Sequence, residues 1–215
     1  VRTMQPGAVH VEILLDDRAV PMTPVGEGLF HAALTEREVP DYRYRVTYPD
    51  GRSRTLADGY RFLPTLGEVD LHLIGEGRHE KLWTVLGAHV RTYETAGGPV
   101  TGTSFAVWAP DARGVSVIGD FCGWNPVAHP MRSIGSSGIW ELFVPDVGDG
   151  ALYKYCVRGA DGRTVDHADP LASATEVPPA TASKVFTSRY EWEDDEWIAA
   201  RAARDHSRSP MTVLE

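Results

Sequence analysis

The run Gly123-Trp124-Asn125 follows a strand-like segment and leads into Pro126, so residues that shape exposed turns bracket a single indole. An indole in that setting either tucks into the edge of a sheet or faces outward as a flat apolar platform. Lys154 stands between Tyr153 and Tyr155 in the run Leu152 to Val157. A flat aromatic face beside amide and ammonium donors suits a pyranose ring, whose C–H face packs on the indole while its hydroxyls bond to the polar groups. Trp124, Asn125 and Lys154 are therefore the candidate binding residues; a lone strand lysine is otherwise a solvated side chain.

Catalytic, metal and cofactor motifs are scarce by comparison. His79-Glu80 lacks the following histidine of a helical zinc motif, and Gly75-Glu76-Gly77 has Glu80 where a dinucleotide fingerprint needs its third glycine. There is no phosphate loop and no Gly-x-Ser-x-Gly. The expected set is no catalytic residue, no metal ligand and no cofactor. Asp166-His167-Ala168-Asp169 could pass for an acid–base cluster, but Asp169 has a counterpart at Asp58, and a repeated aspartate reads as a structural turn. Trp108, Trp83 and Trp140 read as core, and Trp192 and Trp197 as packing on a neighbouring surface.

The elements that must position these residues read mostly as short strands. Apolar residues alternate in Val9 to Ile13, Tyr42 to Val46 and Val115 to Val117, while Asp50-Gly51, Asp149-Gly150 and Asp161-Gly162 mark turns. Two stretches have helical spacing. His79, Leu82, Trp83 and Leu86 predict a helix over 76–86 closed by Gly87, and acidic residues ahead of Arg201 and Arg204 predict one over 193–204. Composition agrees with a globular chain: 24% charged and 42% hydrophobic residues among 215, with no apolar run near the roughly 20 residues of a membrane helix. No export signal is visible and a cytoplasmic location is expected. A net charge of −9 with scattered Lys and Arg argues against nucleic acid. Cys122 and Cys156 have neither disulfide-framework nor zinc spacing, and read as thiols in a reducing compartment.

An internal repeat organises the whole. Pro21-Met22, Gly28-Leu29-Phe30, Tyr42-Arg43-Tyr44, Asp50-Gly51-Arg52 and Asp58 recur as Pro130-Met131, Gly138-Ile139-Trp140, Tyr153-Lys154-Tyr155, Asp161-Gly162-Arg163 and Asp169, at offsets of 109 to 111. Upstream, Pro6, Ala8, Val11 and Asp16 match Pro110, Ala112, Val115 and Asp120 at an offset of 104. About five residues are thus added in the second copy, around Phe121 to Pro126. Two immunoglobulin-like β-sandwiches are predicted, an all-β fold with a short helical connector and a C-terminal helix. The expected division is 1–73, a connector over 74–99, 100–187, and a helix with lead-in over 188–215. The first copy begins level with Phe105, so residues are expected before Val1.

Phe105-Ala-Val-Trp-Ala-Pro, Val115-Ser-Val-Ile-Gly-Asp-Phe-Cys-Gly-Trp-Asn, Gly138-Ile-Trp-Glu, Tyr153-Lys-Tyr and Ala168-Asp-Pro-Leu-Ala closely resemble the starch- and glycogen-binding module that precedes the barrel of bacterial 1,4-α-glucan branching enzymes. Arg61-Phe-Leu-Pro, Leu71 to Gly77 and Leu86-Gly-Ala-His resemble the junction between the family's two N-terminal sandwiches, particularly in its actinobacterial members. Debranching enzymes and trehalose-releasing hydrolases share a version of the second module and are the alternative.

The resemblance implies an α-glucan partner (glycogen, amylose or maltooligosaccharides) and a catalytic barrel as the second partner. In that family two barrel carboxylates, about 5 Å apart, cut an α-1,4 link and rejoin the chain through α-1,6. Neither matches a residue of this chain, and Ser209 to Glu215 resembles the approach to the first barrel strand, so the chain alone is expected to be inactive. The resemblance also assigns ring stacking to Trp124, with Asn125 in the same loop, and hydroxyl binding to Lys154. Many such modules carry a second tryptophan after the turn that is Asp161-Gly162 here, where this chain has Arg163-Thr164. Copy one lacks a counterpart of Trp124 and has Arg43 in place of Lys154. A segment that only packs on the barrel or on a second subunit is therefore the rival reading.

Overall fold

Alternation of buried and exposed residues along short runs builds two sandwiches in the computed structural model, which describes residues 1–36, 39–205, 210, 212 and 213. The first module contains β1 (Arg2–Met4), β2 (His10–Leu14), β3 (Ala19–Pro21), β4 (Thr23–Gly26), β5 (Leu29–His31), β6 (Arg43–Thr47) and β7 (Ser53–Ala57). They form two antiparallel sheets, ordered β1-β5-β4 and β3-β2-β6-β7. Val11, Ile13, Met22, Phe30, Tyr42, Tyr44 and Val46 fill the core between them.

After the helix α1 (Glu68–Gly75), the second module contains β8 (Gly87–Tyr93), β9 (Val100–Trp108), β10 (Gly114–Gly119), β11 (Arg132–Ser133), β12 (Ile139–Pro145), β13 (Leu152–Arg158), β14 (Thr164–His167), β15 (Ala174–Thr175) and β16 (Ser183–Lys184). One sheet runs β11-β12-β9-β8; the other runs β10-β13-β16-β15, with β14 also on β13. Phe105, Val117, Leu142, Tyr153, Tyr155 and Val185 lie in the core between the sheets. The helix α2 (Asp195–Ala203) follows within the predicted stretch. The stretch resembling a lead-in to a barrel, 209–215, falls largely outside the described residues.

The repeat has a buried chemical basis. In the first module the hydroxyls of Tyr42 and Tyr44 both donate to Asp58 Oδ2, at 2.5 and 2.7 Å, while Tyr60 N–H donates to Asp58 Oδ1 at 2.9 Å. In the second module Tyr153 and Tyr155 donate to Asp169 Oδ2, at 2.6 and 3.3 Å, and Leu171 N–H to Asp169 Oδ1 at 2.8 Å. Desolvation raises the pKa of all four tyrosines, and the neighbouring carboxylate adds to the shift. Burial also raises the Asp169 carboxyl against the opposing effect of its hydrogen bonds. Asp169 is thus a turn and core residue, and the apparent cluster at 166–169 is structural. The turns repeat as well: Arg52 N–H donates to Asp50 Oδ1 and Arg163 N–H to Asp161 Oδ1, both at 3.0 Å.

The connector differs from expectation. The helix lies at 68–75, upstream of the predicted 76–86, because Gly77 with φ +66° stops it: Gly77 N–H donates to Ile74 O and Arg78 N–H to Leu73 O, closing the end as a Schellman motif. Over 76–86 only Leu82–Thr84 makes a single 3₁₀ turn, and the spacing of Leu82 and Leu86 reflects the local bond from Leu86 N–H to Leu82 O. Nor does the connector extend to residue 99. Gly87 to Tyr93 pairs with Ala106 to Val100 as β8, so the second sandwich starts a strand earlier.

What the connector does is cover the outer face of the β9/β12 sheet. Leu66 and Leu86 pack there on Ala106 and Ile139, and Phe62, Tyr93 and Phe143 form a ring cluster with centroids 4.7 to 4.9 Å apart. Glu141, wholly buried on this face, accepts from Thr65 N–H at 2.7 Å and Thr65 Oγ1 at 2.8 Å, with Arg132 Nε 3.8 Å from its other oxygen. Arg132 Nη2 in turn donates to Phe62 O at 2.7 Å. A Cβ at Gly59 would stand 2.2 Å from Phe143 O, so only glycine allows the connector this close to β12.

Two tryptophans expected in the core are exposed. Trp108 is 57% exposed because it shares the outer face with Ala106 at the end of β9; it lines an apolar cavity of about 370 Å³ with Ile74, Leu82, Leu86 and Leu171. Trp83, on the 3₁₀ turn, is 59% exposed. Trp140 does pack against the core, its Nε1 donating to Ala109 O at 3.1 Å. Trp192 and Trp197 are exposed; Trp192 meets the Tyr190 ring edge-on and Trp197 lies under Arg201.

Replacing Asp169 by alanine leaves the buried Tyr153 hydroxyl without its acceptor, takes one of the acceptors from Tyr155, which keeps Ala106 O at 3.3 Å, and uncaps the following turn. The expected loss is about 3 kcal/mol, measured by urea unfolding at neutral pH. A loss below about 1 kcal/mol would show that the tyrosines find water instead.

Candidate functional site

The five added residues of the second copy are what create the candidate loop. Met22 N–H donates to Val11 O in the first module, and Met131 N–H to Val115 O in the second, so the two strand connections begin and end at equivalent bonds. In the first module a tight turn, closed by Leu15 N–H on Arg18 O, spans the interval. In the second the chain leaves β10 at Gly119, makes a 3₁₀ turn over Asp120–Cys122, and projects before returning at Pro130.

The projection is held in place from within. Phe121 stacks on Phe105 of the core at 6.0 Å and meets His129 at 5.5 Å. Trp124 N–H donates to Gly119 O at 2.8 Å, and Asn125 Oδ1 accepts from Val127 N–H at 3.0 Å. Gly123 at φ +61° and Trp124 at φ +60° are both left-handed. For a tryptophan this conformation costs roughly 1–2 kcal/mol, a strain that the surrounding bonds sustain. Trp124 is 39% exposed, so the indole is neither buried in the sheet edge nor free of it. The Asn125 amide nitrogen has no hydrogen-bond partner among the described residues.

Lys154 sits one strand away. Its Cα partner on β10 is Ile118, and the next pair, Tyr153 with Gly119, lies where the loop begins. Its ammonium donates to Thr181 Oγ1 at 2.7 Å. The structure therefore unites Trp124 and Asn125 on one loop and sets Lys154 beside the root of that loop, without a contact between them among the described residues. Arg163, which follows the turn after which many such modules carry a second tryptophan, is an exposed residue with its Nε 3.6 Å from Asp161 Oδ2. Sequence reading missed Phe121, His129 and Thr181; the signal for the first two was their place in the inserted stretch, whereas Thr181 joins only through tertiary structure.

Burial holds the His129 imidazole well below its ordinary range, at about 4. It also lifts the Cys156 thiol to about 11, with Asp166 adding to the effect. Both cysteines are free, Cys156 buried and Cys122 half-buried. Among the described residues no group of three or more His, Cys, Asp or Glu could hold a metal ion, and no helix is long and apolar enough to cross a membrane.

Paired antiparallel sandwiches, the second bearing an ordered aromatic loop, place the chain in the class of tandem β-sandwich modules. Residues 85–172 match carbohydrate-binding module 48 (isoamylase N-terminal domain), and residues 1–60 match the alpha-1,4-glucan branching enzyme GlgB N-terminal domain. The 1,4-alpha-glucan branching enzyme GlgB of Nocardia farcinica is 60% identical over 215 residues, 100% of this chain and 29% of that protein. Its namesake in Rhodococcus jostii is 56% identical over the same shares. Among solved structures, ligand-free PulA from Klebsiella pneumoniae is similar at a TM-score of 0.40 and 18% identity, over 86% of this chain and 20% of that one. The chain is thus similar along its whole length to the N-terminal region of GlgB branching enzymes, and it spans less than a third of the length of these relatives.

The neutral state of His129 supplies a pH test. With a folded pKa near 4 against 6.5 when unfolded, the unfolded chain binds more protons in that window, so this contribution is complete above pH 6.5 and is lost as pH falls toward 4. His129→Gln should shrink the drop in unfolding free energy between pH 7 and pH 4.5 by about 2 kcal/mol. Urea titrations at both pH values measure it, and an unaltered drop would contradict the assignment.

Proposed function

We propose that this chain is the carbohydrate-binding and scaffolding segment of a 1,4-α-glucan branching enzyme, acting in the cytoplasm on glycogen and related α-glucans. The whole enzyme cuts α-1,4 links and rejoins the chains through α-1,6, with its catalytic barrel supplied by sequence outside this segment. The observation that carries the reading is Trp124, held half-exposed in a left-handed conformation by a loop that the first module lacks. Its indole stacks on a sugar ring, and the Asn125 amide and Lys154 ammonium bond to hydroxyls, the latter by exchanging Thr181 for the ligand.

Burying about 100 Å² of apolar surface on one indole contributes roughly 2.5 kcal/mol at ~25 cal/mol per Å². Ordering costs offset part of this. Hydrogen bonds from Asn125 and Lys154 to the sugar hydroxyls supply the remainder of the about −4 kcal/mol that corresponds to a dissociation constant of about 1 mM. A second reading, in which the segment only packs on the barrel or another subunit, is favoured by Arg163 at the second platform and by the existing Lys154–Thr181 bond.

Titration with maltoheptaose followed by NMR separates the two readings. Trp124→Ala should abolish detectable binding while the spectrum stays dispersed, because the half-exposed ring contributes little to the core. Equal shifts in both proteins would place the sugar elsewhere; no shifts in either would leave the scaffolding role alone.

A further inference from the structure

The loop that bears Trp124 is also a wall of a second feature. Asn125, Val127 and His129 line one side of a cleft of about 630 Å³, and Gln5, Tyr48 and Arg54 of the first module line the other. A cleft of that size falls within the roughly 300–1,000 Å³ of small-molecule sites. Its two walls are tied together, since the Tyr60 hydroxyl at the end of the connector donates to Pro130 O at the base of the loop.

The lining has a definite chemical character. Exposed Met4 and Val127 give apolar surface, and the Gln5 amide, Tyr48 hydroxyl and Arg54 guanidinium give hydrogen-bonding groups within reach of it. Of the two lining carboxylates, Asp58 is already engaged by Tyr42, Tyr44 and the Tyr60 N–H, and Asp146 and Arg2 complete the charged part of the lining. His129 adds a ring without charge near neutral pH. Apolar patches interleaved with mostly uncharged polar groups match a polyhydroxylated chain with C–H faces better than they match an anion or a peptide of fixed charge.

We propose that the inter-module cleft is a second α-glucan subsite, continuous with the Trp124 loop through Asn125, in which the first module holds chains that extend past the ring stacked on the indole. The assignment rests on Trp124 binding glucan. It gives the first module, which has no aromatic loop of its own, a direct part in recognition and makes affinity depend on chain length. A sugar bound at the loop presents its next units to the cleft at high effective concentration, so even weak contacts there add to binding.

The test compares maltotriose with maltoheptaose on the full 215-residue chain and on a Gln5→Ala, Arg54→Ala double variant. For the wild type, maltoheptaose should bind about fivefold more tightly than maltotriose, and the double variant should bring that ratio to about one. Independently of any variant, maltoheptaose should shift the backbone amides of Gln5 and Arg54, and maltotriose should not. A ratio near one in the wild type, a ratio that survives the double substitution, or amide shifts confined to 119–130 would overturn the cleft subsite. If maltotriose and maltoheptaose bind equally and Trp124→Ala removes both, the cleft fails and the loop reading stands. If neither sugar binds the wild type, both fall.

Discussion

A buried aspartate that accepts from two tyrosine hydroxyls is the interaction on which each sandwich is built. Tyr42, just before β6, and Tyr44 within it, like Tyr153 and Tyr155 of β13, are spaced i and i+2 and point the same way into the core, bringing polar tips where water is excluded. Those hydroxyls need an acceptor, and a carboxylate at the start of the following turn supplies one lone pair for each while its other oxygen caps the turn. The geometry fixes where the strand before the aspartate, β7 or β14, ends and which way the chain departs. In the first module it departs into the connector through the turn at Asp58; in the second it departs at Asp169 into the stretch leading to β15 and β16.

This constraint also explains why the repeat could be read from sequence. A triad of two tyrosines and an aspartate at fixed spacing cannot drift singly, because the loss of one member strands the others in the core. Met22 and Met131, or Phe30 and Trp140, follow because they occupy equivalent places against that network. The inserted stretch is legible for the complementary reason: the flanking hydrogen bonds are equivalent in both copies, so the length difference has to appear as a projecting loop. Trp124 and Asn125 could be named in advance, whereas the left-handed backbone that exposes the indole could not, since it arises from the bond of Trp124 N–H to Gly119 O.

What the sequence concealed lies where tertiary contacts override local pattern. The apolar spacing over 79–86 is real, but Gly77 ends the helix before it and the side chains reach the β9/β12 sheet from a loop and a single turn. β8 was hidden because it pairs on one side only and alternates small and polar residues, His89 and Arg91 among them. Trp108 lies on the outer face of β9, and Glu141 on the matching face of β12. Whether that face is wet or dry depends on a connector whose path no periodicity in β9 or β12 reveals.

Glu141 shows how that connector ties the second sandwich to the chain that precedes it. A carboxyl with no solvent exposure depends here on the two bonds from Thr65 to Oε1 and on Arg132 Nε, 3.8 Å from Oε2 and not hydrogen-bonded to it, while Arg132 holds the connector again at Phe62 O. Separation of the modules would strand the carboxylate in an apolar sheet face, so the penalty for opening is concentrated in this contact. The same connector presents Tyr60 to Pro130, at the root of the Trp124 loop. The spacing between the first module and that loop is therefore set by the burial of one glutamate and the close approach at Gly59. A cleft with walls fixed in this way needs no ordering when a flexible chain enters, and the entropy cost of binding falls mainly on the ligand.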